Sequence, residues 1–74
     1  MKIDRFVSVI APLYNNEEIV ASFIKDTVAV LKENYTNFEL VLVDDSSSDN
    51  TVERVTALLG QYEGIRLLRL SREF

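Results

Sequence analysis

Apolar positions along the chain alternate between short continuous runs and helical spacing. Phe6-Val7-Ser8-Val9-Ile10-Ala11 is short and rich in β-branched residues, which predicts a strand. Pro12 cannot donate to a ladder and is expected to stop it. The loop Leu13-Tyr14-Asn15-Asn16 follows, and either Asn can cap the next helix. Ile19, Val20, Phe23, Ile24, Val28 and Leu31 recur at helical spacing, so a helix is expected from about Glu17 to about Asn34. Tyr35-Thr36-Asn37 reads as a turn. Phe38 to Val43 contains the run Leu40-Val41-Leu42-Val43, which reads as a strand buried on both faces. A second helix is expected from Asp49 or Asn50 to about Tyr62, with Val52, Val55, Leu58 and Leu59 as its apolar stripe. Gly60 weakens its last turn and Gly64 makes the turn into a third strand, Ile65 to Leu70.

Strand, helix, strand, helix, strand implies parallel pairing with right-handed crossovers. The expected fold class is α/β: a three-stranded parallel sheet of order 3-2-1 with two helices on one face. Five elements cover only one side of such a sheet. The second and third strands show no clean alternation, so the other side is expected to be apolar and bare. Soluble monomers rarely expose a patch of that kind. The 74 residues are therefore expected to be part of a larger α/β domain, or to meet a partner or a second copy through that face.

Composition narrows the function classes. A chain of 74 residues makes one small domain, which buries only about 60% of its unfolded surface. Net charge is −4, and Arg66, Arg69 and Arg72 are the only local concentration of basic residues, so nucleic-acid binding through a basic face is not expected. There is no Cys and no His, which excludes thiolate and imidazole chemistry within these residues. No apolar stretch reaches the about 18 residues of a membrane span, and Met1-Lys2-Ile3-Asp4-Arg5 carries no signal-peptide pattern.

The candidate chemistry sits at the strand exits. Asp44-Asp45 ends the most apolar strand and is followed by Ser46-Ser47-Ser48-Asp49-Asn50-Thr51. In a parallel sheet all exits share one edge, where open α/β sheets bind ligands. Residues 12–17 and 44–49 should converge there. Together they offer the Tyr14 ring, the Asn15 and Asn16 amides, the Glu17, Asp44 and Asp45 carboxylates and three hydroxyls, a set suited to a nucleoside. Each also has a plainer role. The Asn, Ser and Asp49 side chains are good caps and turn formers. Glu17 suits a helix dipole, and Tyr14 can cover a core edge. The acidic pair is the hardest to explain structurally, because adjacent like charges at a buried strand exit are mildly destabilising without a ligand or cation. Arg72 is a further candidate, for an anionic phosphate. Neither G-x-G-x-x-G nor G-x-x-x-x-G-K-[ST] occurs. A phosphate-accepting receiver domain is disfavoured, because its acidic pair follows the first strand, and here that strand exits into Pro12-Leu13-Tyr14-Asn15.

Val7-Ser8-Val9-Ile10-Ala11-Pro12-Leu13-Tyr14-Asn15-Asn16-Glu17, then Phe38-Glu39-Leu40-Val41-Leu42-Val43-Asp44-Asp45-Ser46-Ser47-Ser48-Asp49-Asn50-Thr51, resembles the opening of family 2 glycosyltransferases. The ending Leu70-Ser71-Arg72-Glu73-Phe74 is similar to the subgroup that moves sugars onto polyprenyl phosphates, the dolichyl-phosphate mannose synthase and bactoprenol glucosyltransferase type. The resemblance implies the first half of a Rossmann-like GT-A domain and a nucleotide-diphosphate sugar as donor. It implies a polyprenyl phosphate as acceptor, at the cytoplasmic face of the membrane. It places Pro12, Leu13, Tyr14, Asn16, Glu17, Asp44 and Asp45 at the nucleotide. Tyr14 stands in the stacking place, Asp45 in the place that hydrogen-bonds the base, and Asp44 beside it. Ser46 stands where many members have Gly. The family's divalent cation, Mg2+ or Mn2+, is held by a D-x-D motif that does not occur in these residues. No catalytic residue is assigned within the chain, and the 74 residues alone are expected to be inactive. A small α/β binding module that associates through its bare sheet face is the alternative.

Overall fold

A computed structural model describes residues 2–70. The elements run β1 (Ile3–Leu13), α1 (Val20–Asn34), β2 (Tyr35–Asp45), α2 (Thr51–Leu58) and β3 (Ile65–Leu70). The three strands form one parallel sheet with β2 in the centre, the expected order.

Side-chain alternation along the strands decides the core. Ala11 and Leu13 of β1 and Leu40 and Leu42 of β2 face the helices, with Val7, Val9, Phe38, Ile65 and Leu67 packed around them. Val20, Ile24, Val28 and Leu31 of α1 and Val55 of α2 meet them from above, so both helices lie on one side. Ile24, Leu40, Leu42, Val20 and Val55 are fully buried.

Several boundaries differ from the sequence expectation. β1 continues through Pro12, paired with Val43, to Leu13. It is an edge strand, where every second N–H points away from the ladder and a missing donor is harmless. Tyr35-Thr36-Asn37 belongs to β2, because Ile3 and Phe6 pair with Tyr35 and Asn37 across a register irregularity. α1 starts at Val20 rather than near Glu17. α2 ends at Leu58, before Gly60. Gly64 takes the left-handed backbone (φ 80°) that turns the chain into β3, and its carbonyl accepts the Leu40 N–H at 2.6 Å. A Cβ there would lie 3.1 Å from the Phe38 carbonyl oxygen.

The bare face is less uniformly apolar than expected. Phe6, Ile10, Leu68 and Leu70 are exposed on it. Between Phe6 and Ile10 it carries a polar row instead: the Ser8 hydroxyl donates to Glu39 Oε1 at 2.8 Å, and Arg66 lies 3.6 Å from the other Glu39 oxygen. Val41, flanked in register by Ile10 and Arg66, is only 7% exposed although no helix covers it.

Candidate functional site

The β1 and β2 exits meet at one edge. Leu13 pairs with Asp44, and Asp45 pairs with Leu70, so Tyr14, which follows Leu13, and Asp45 both lie at the strand-exit edge of the sheet. Tyr14 is 62% exposed, and Pro12 is exposed as well. Pro12, Tyr14, Asn16, Glu17, Asp44 and Asp45 thus all lie at the strand-exit end of the sheet, though on different sides of it. The Leu13 side chain is different: it is buried in the core, and only its backbone belongs to the edge.

The two acids are not equivalent. Asp44 follows Leu40 and Leu42 on the helix side and is almost wholly buried. Its carboxylate is satisfied locally, accepting the Ser47 N–H at 3.1 Å and the Ser47 hydroxyl at 2.5 Å. A buried carboxylate needs such donors, since an unpaired one would carry a large desolvation cost. Asp45 lies on the other side of the sheet and is half-buried. The chain then leaves the strand through Ser46, whose φ of 57° is left-handed and whose hydroxyl donates to the Leu70 carbonyl at 3.0 Å. Side chains rarely adopt that backbone, which is the physical reason Gly would suit the position.

The Asn residues do not cap α1. Its N-cap position is Ile19, with no side-chain cap bond, and the Asn16 carbonyl accepts the Ile19 and Val20 N–H groups instead. The amide side chains hold the loops. Asn16 Oδ1 accepts the Tyr14 N–H at 2.7 Å. Asn15, at φ 51°, extends Oδ1 to the Ser48 N–H at 2.9 Å and the Asp49 N–H at 3.4 Å, while its own N–H donates to the Ser47 hydroxyl at 3.0 Å. The Asn16 N–H donates to the Thr51 hydroxyl at 2.8 Å and the Glu17 N–H to Asp49 Oδ2 at 3.2 Å. Asp49 Oδ1 closes an Asx turn onto the Thr51 N–H and hydroxyl. Glu17 faces Arg54 of α2 at 3.7 Å, an exposed pair that contributes little.

Asp49 is accordingly tuned. Partial withdrawal from water pushes its carboxyl up, but the donors from Thr51 and Glu17 outweigh this and hold its pKa below the ordinary value. Thr51, fully buried, was not singled out by sequence pattern, although the Asp-x-Thr spacing ahead of a helix is an Asx-turn signal.

Two open hollows flank the acidic exit. One, of about 270 Å³, is lined by Asn15 to Ile19 and Asp49; the other, of about 380 Å³, by Asp44, Ser46, Ser47, Arg69 and Leu70. A larger hollow of about 570 Å³ lies at the opposite edge, beside Tyr35, Phe38, Tyr62 and Gly64, away from the acidic pair. Among the described residues no group of three or more potential ligands is placed to hold a metal ion. Asp44 and Asp45 also diverge to opposite sides, so these residues do not fit a cation site. No helix among the described residues is long and apolar enough to cross a membrane. Arg72, the candidate phosphate contact, lies outside the described residues.

The parallel α/β unit with polar strand exits is of the kind that binds ligands at that edge, and sequence comparison supplies the family. Residues 8–74 match glycosyl transferase family 2, and the chain belongs to that family. Enzymes of this family commonly use divalent cations. The chain is similar to the undecaprenyl-phosphate 4-deoxy-4-formamido-L-arabinose transferase of Serratia proteamaculans, 40% identical over 74% of this chain and 17% of that protein. It is also similar to the UDP-Glc:alpha-D-GlcNAc-diphosphoundecaprenol beta-1,3-glucosyltransferase WfgD of Escherichia coli, 38% identical over 96% of this chain and 25% of that protein. A Yersinia pestis undecaprenyl-phosphate 4-deoxy-4-formamido-L-arabinose transferase is 43% identical over 69% of the chain and 16% of that protein. The chain thus spans a quarter or less of the length of these relatives.

Proposed function

We propose that this chain is the nucleotide-recognising portion of a glycosyltransferase that takes a nucleotide-diphosphate sugar and transfers the sugar to a polyprenyl-phosphate lipid. The observation that supports the reading is that Pro12, Tyr14 and Asp45 share one strand-exit edge, with Pro12 and Tyr14 exposed. The Tyr14 ring offers a face on which a base can stack. The Asp45 carboxylate offers an acceptor for a base N–H or a ribose hydroxyl, a contact that charge strengthens. Asn16 acts at one remove by holding the Tyr14 backbone, and Asp44 by fixing the turn through Ser47. Glu17 stands at the rim. The names of the relatives, which include UDP-Glc and undecaprenyl carriers, support the substrate classes.

In this reading the divalent cation, the catalytic base and the acceptor site belong to parts of the enzyme outside these residues, and the full-length protein works at the cytoplasmic face of the membrane. The 74 residues alone transfer no sugar; measurable turnover by the purified chain would overturn that. The nucleotide assignment is tested by titrating the protein with uridine and guanosine diphosphate. Unchanged affinity in Asp45→Ala removes Asp45 from the site.

A second reading rests on the bare face. Exposed Phe6, Ile10, Leu68 and Leu70 favour association through the sheet. Sedimentation of the wild type against Ile10→Lys decides it: a strictly monomeric wild type rules out self-association.

A further inference from the structure

The β1–α1 and β2–α2 loops are tied together by side chains that a nucleoside site would not itself require. Asn15 reaches across to the Ser48 and Asp49 N–H groups, and its own N–H is held by Ser47. In the reverse direction Asp49 and Thr51 receive the Glu17 and Asn16 N–H groups. Each loop thus satisfies the other's backbone, over more than thirty residues of sequence separation. Tyr14 is directly N-terminal to one half of this clasp, and Asp45 leads through Ser46 into the other. Asn15 carries the left-handed backbone and the bridging acceptor together, a combination that Asn tolerates better than most residues.

We propose that Asn15 and Asp49 are positioning residues: by locking the two strand-exit loops to each other they fix Tyr14 relative to Asp45 and so set nucleoside affinity without touching the ligand. The proposal rests on the nucleotide reading above. Without the clasp each loop keeps its strand but loses the partner that orders its backbone. The stacking ring and the acceptor then sample many separations, and each binding event must order them again.

The test pairs amide hydrogen exchange with titration by uridine and guanosine diphosphate. Asn15→Gly keeps the left-handed backbone and removes the acceptor. It is expected to leave the β2 amides protected, to speed exchange at Ser48 and Glu17, and to weaken nucleotide binding about tenfold. Asn15→Asp keeps an acceptor and is expected to stay within about twofold of the wild type. Asp49→Ala, acting from the other loop, is expected to reproduce the Asn15→Gly pattern. Wild-type affinity in a folded Asn15→Gly protein whose loop amides have loosened overturns the proposal, as does unchanged exchange at Ser48 and Glu17. Failure of the unsubstituted protein to bind either nucleotide overturns the nucleotide reading instead, and the exchange data then decide the loop coupling alone.

Discussion

Asp44 and Asp45 are adjacent in sequence and face opposite sides of the sheet, one buried and bonded to Ser47, the other half-buried at the strand exit in register with Leu70. Strand alternation alone makes this division, and it separates a structural carboxylate from a candidate ligand contact.

The division gives opposite signatures on mutation. Asp44→Ala leaves the Ser47 N–H and hydroxyl without their acceptor at a half-buried turn and is expected to cost about 1–3 kcal/mol of stability. Asp45→Ala is expected to cost less stability than Asp44→Ala while weakening nucleotide binding, because Asp45 is the less buried of the two. Urea unfolding read beside nucleotide titration separates the two. Equal effects of both substitutions on both measurements would contradict the division.

How much of this was legible in the sequence follows from the range of the interactions. The run Leu40 to Val43 announced a central buried strand, and the helical spacing of Val20, Ile24, Val28 and Leu31 announced the helix above it, because both patterns repeat locally. The β1–α1 loop was legible as polar but not as a clasp. Asn15 and Asn16 have the right chemistry for capping, and only the parallel register, which places Ser47 to Thr51 alongside, diverts them to another loop. That diversion also explains the late start of α1. The extent of β1 past Pro12 was within reach of the sequence: Pro is tolerated on an edge strand, and the expected order 3-2-1 already put the first strand at the edge. Tyr35 and Thr36 are good strand formers, and their place in β2 was open to a reading that weighted propensity over turn composition.

Ser46 offers a test of backbone strain. Its φ of 57° disfavours any residue with a Cβ, and its hydroxyl recovers part of the cost through the Leu70 carbonyl. Ser46→Ala keeps the strain and loses the hydrogen bond. Ser46→Gly loses the bond but relieves the strain. The Gly variant is therefore expected to be more stable than the Ala variant by about 1 kcal/mol, the reverse of their order in a helix. Thermal unfolding of the pair checks it, and an Ala variant at least as stable as the Gly variant would remove strain from the account of this turn.

Gly64 is expected to be less tolerant still. Left-handed backbone and a Cβ only 3.1 Å from the Phe38 carbonyl oxygen act together, and that oxygen lies in the central strand and cannot swing aside. Gly64→Ala should destabilise the fold by about 2 kcal/mol, with the loss visible as a lower urea midpoint at unchanged slope.

The clasp also predicts a pH dependence with a definite sign. Donors from Thr51 and Glu17 hold the Asp49 pKa below its ordinary value, so the folded state prefers the ionised form more than the unfolded chain does. The contribution of Asp49 to stability is therefore fully present above the ordinary carboxylate pKa of about 3.9 and is lost as pH falls through the lowered folded value. Asp49→Asn removes the titration. The stability gap between wild type and this variant is expected to be constant from neutral pH down to about pH 5 and to narrow below about pH 4. Urea unfolding of both proteins across that range measures it, and a gap that widens on acidification would mean that the Thr51 and Glu17 donors do not favour the carboxylate.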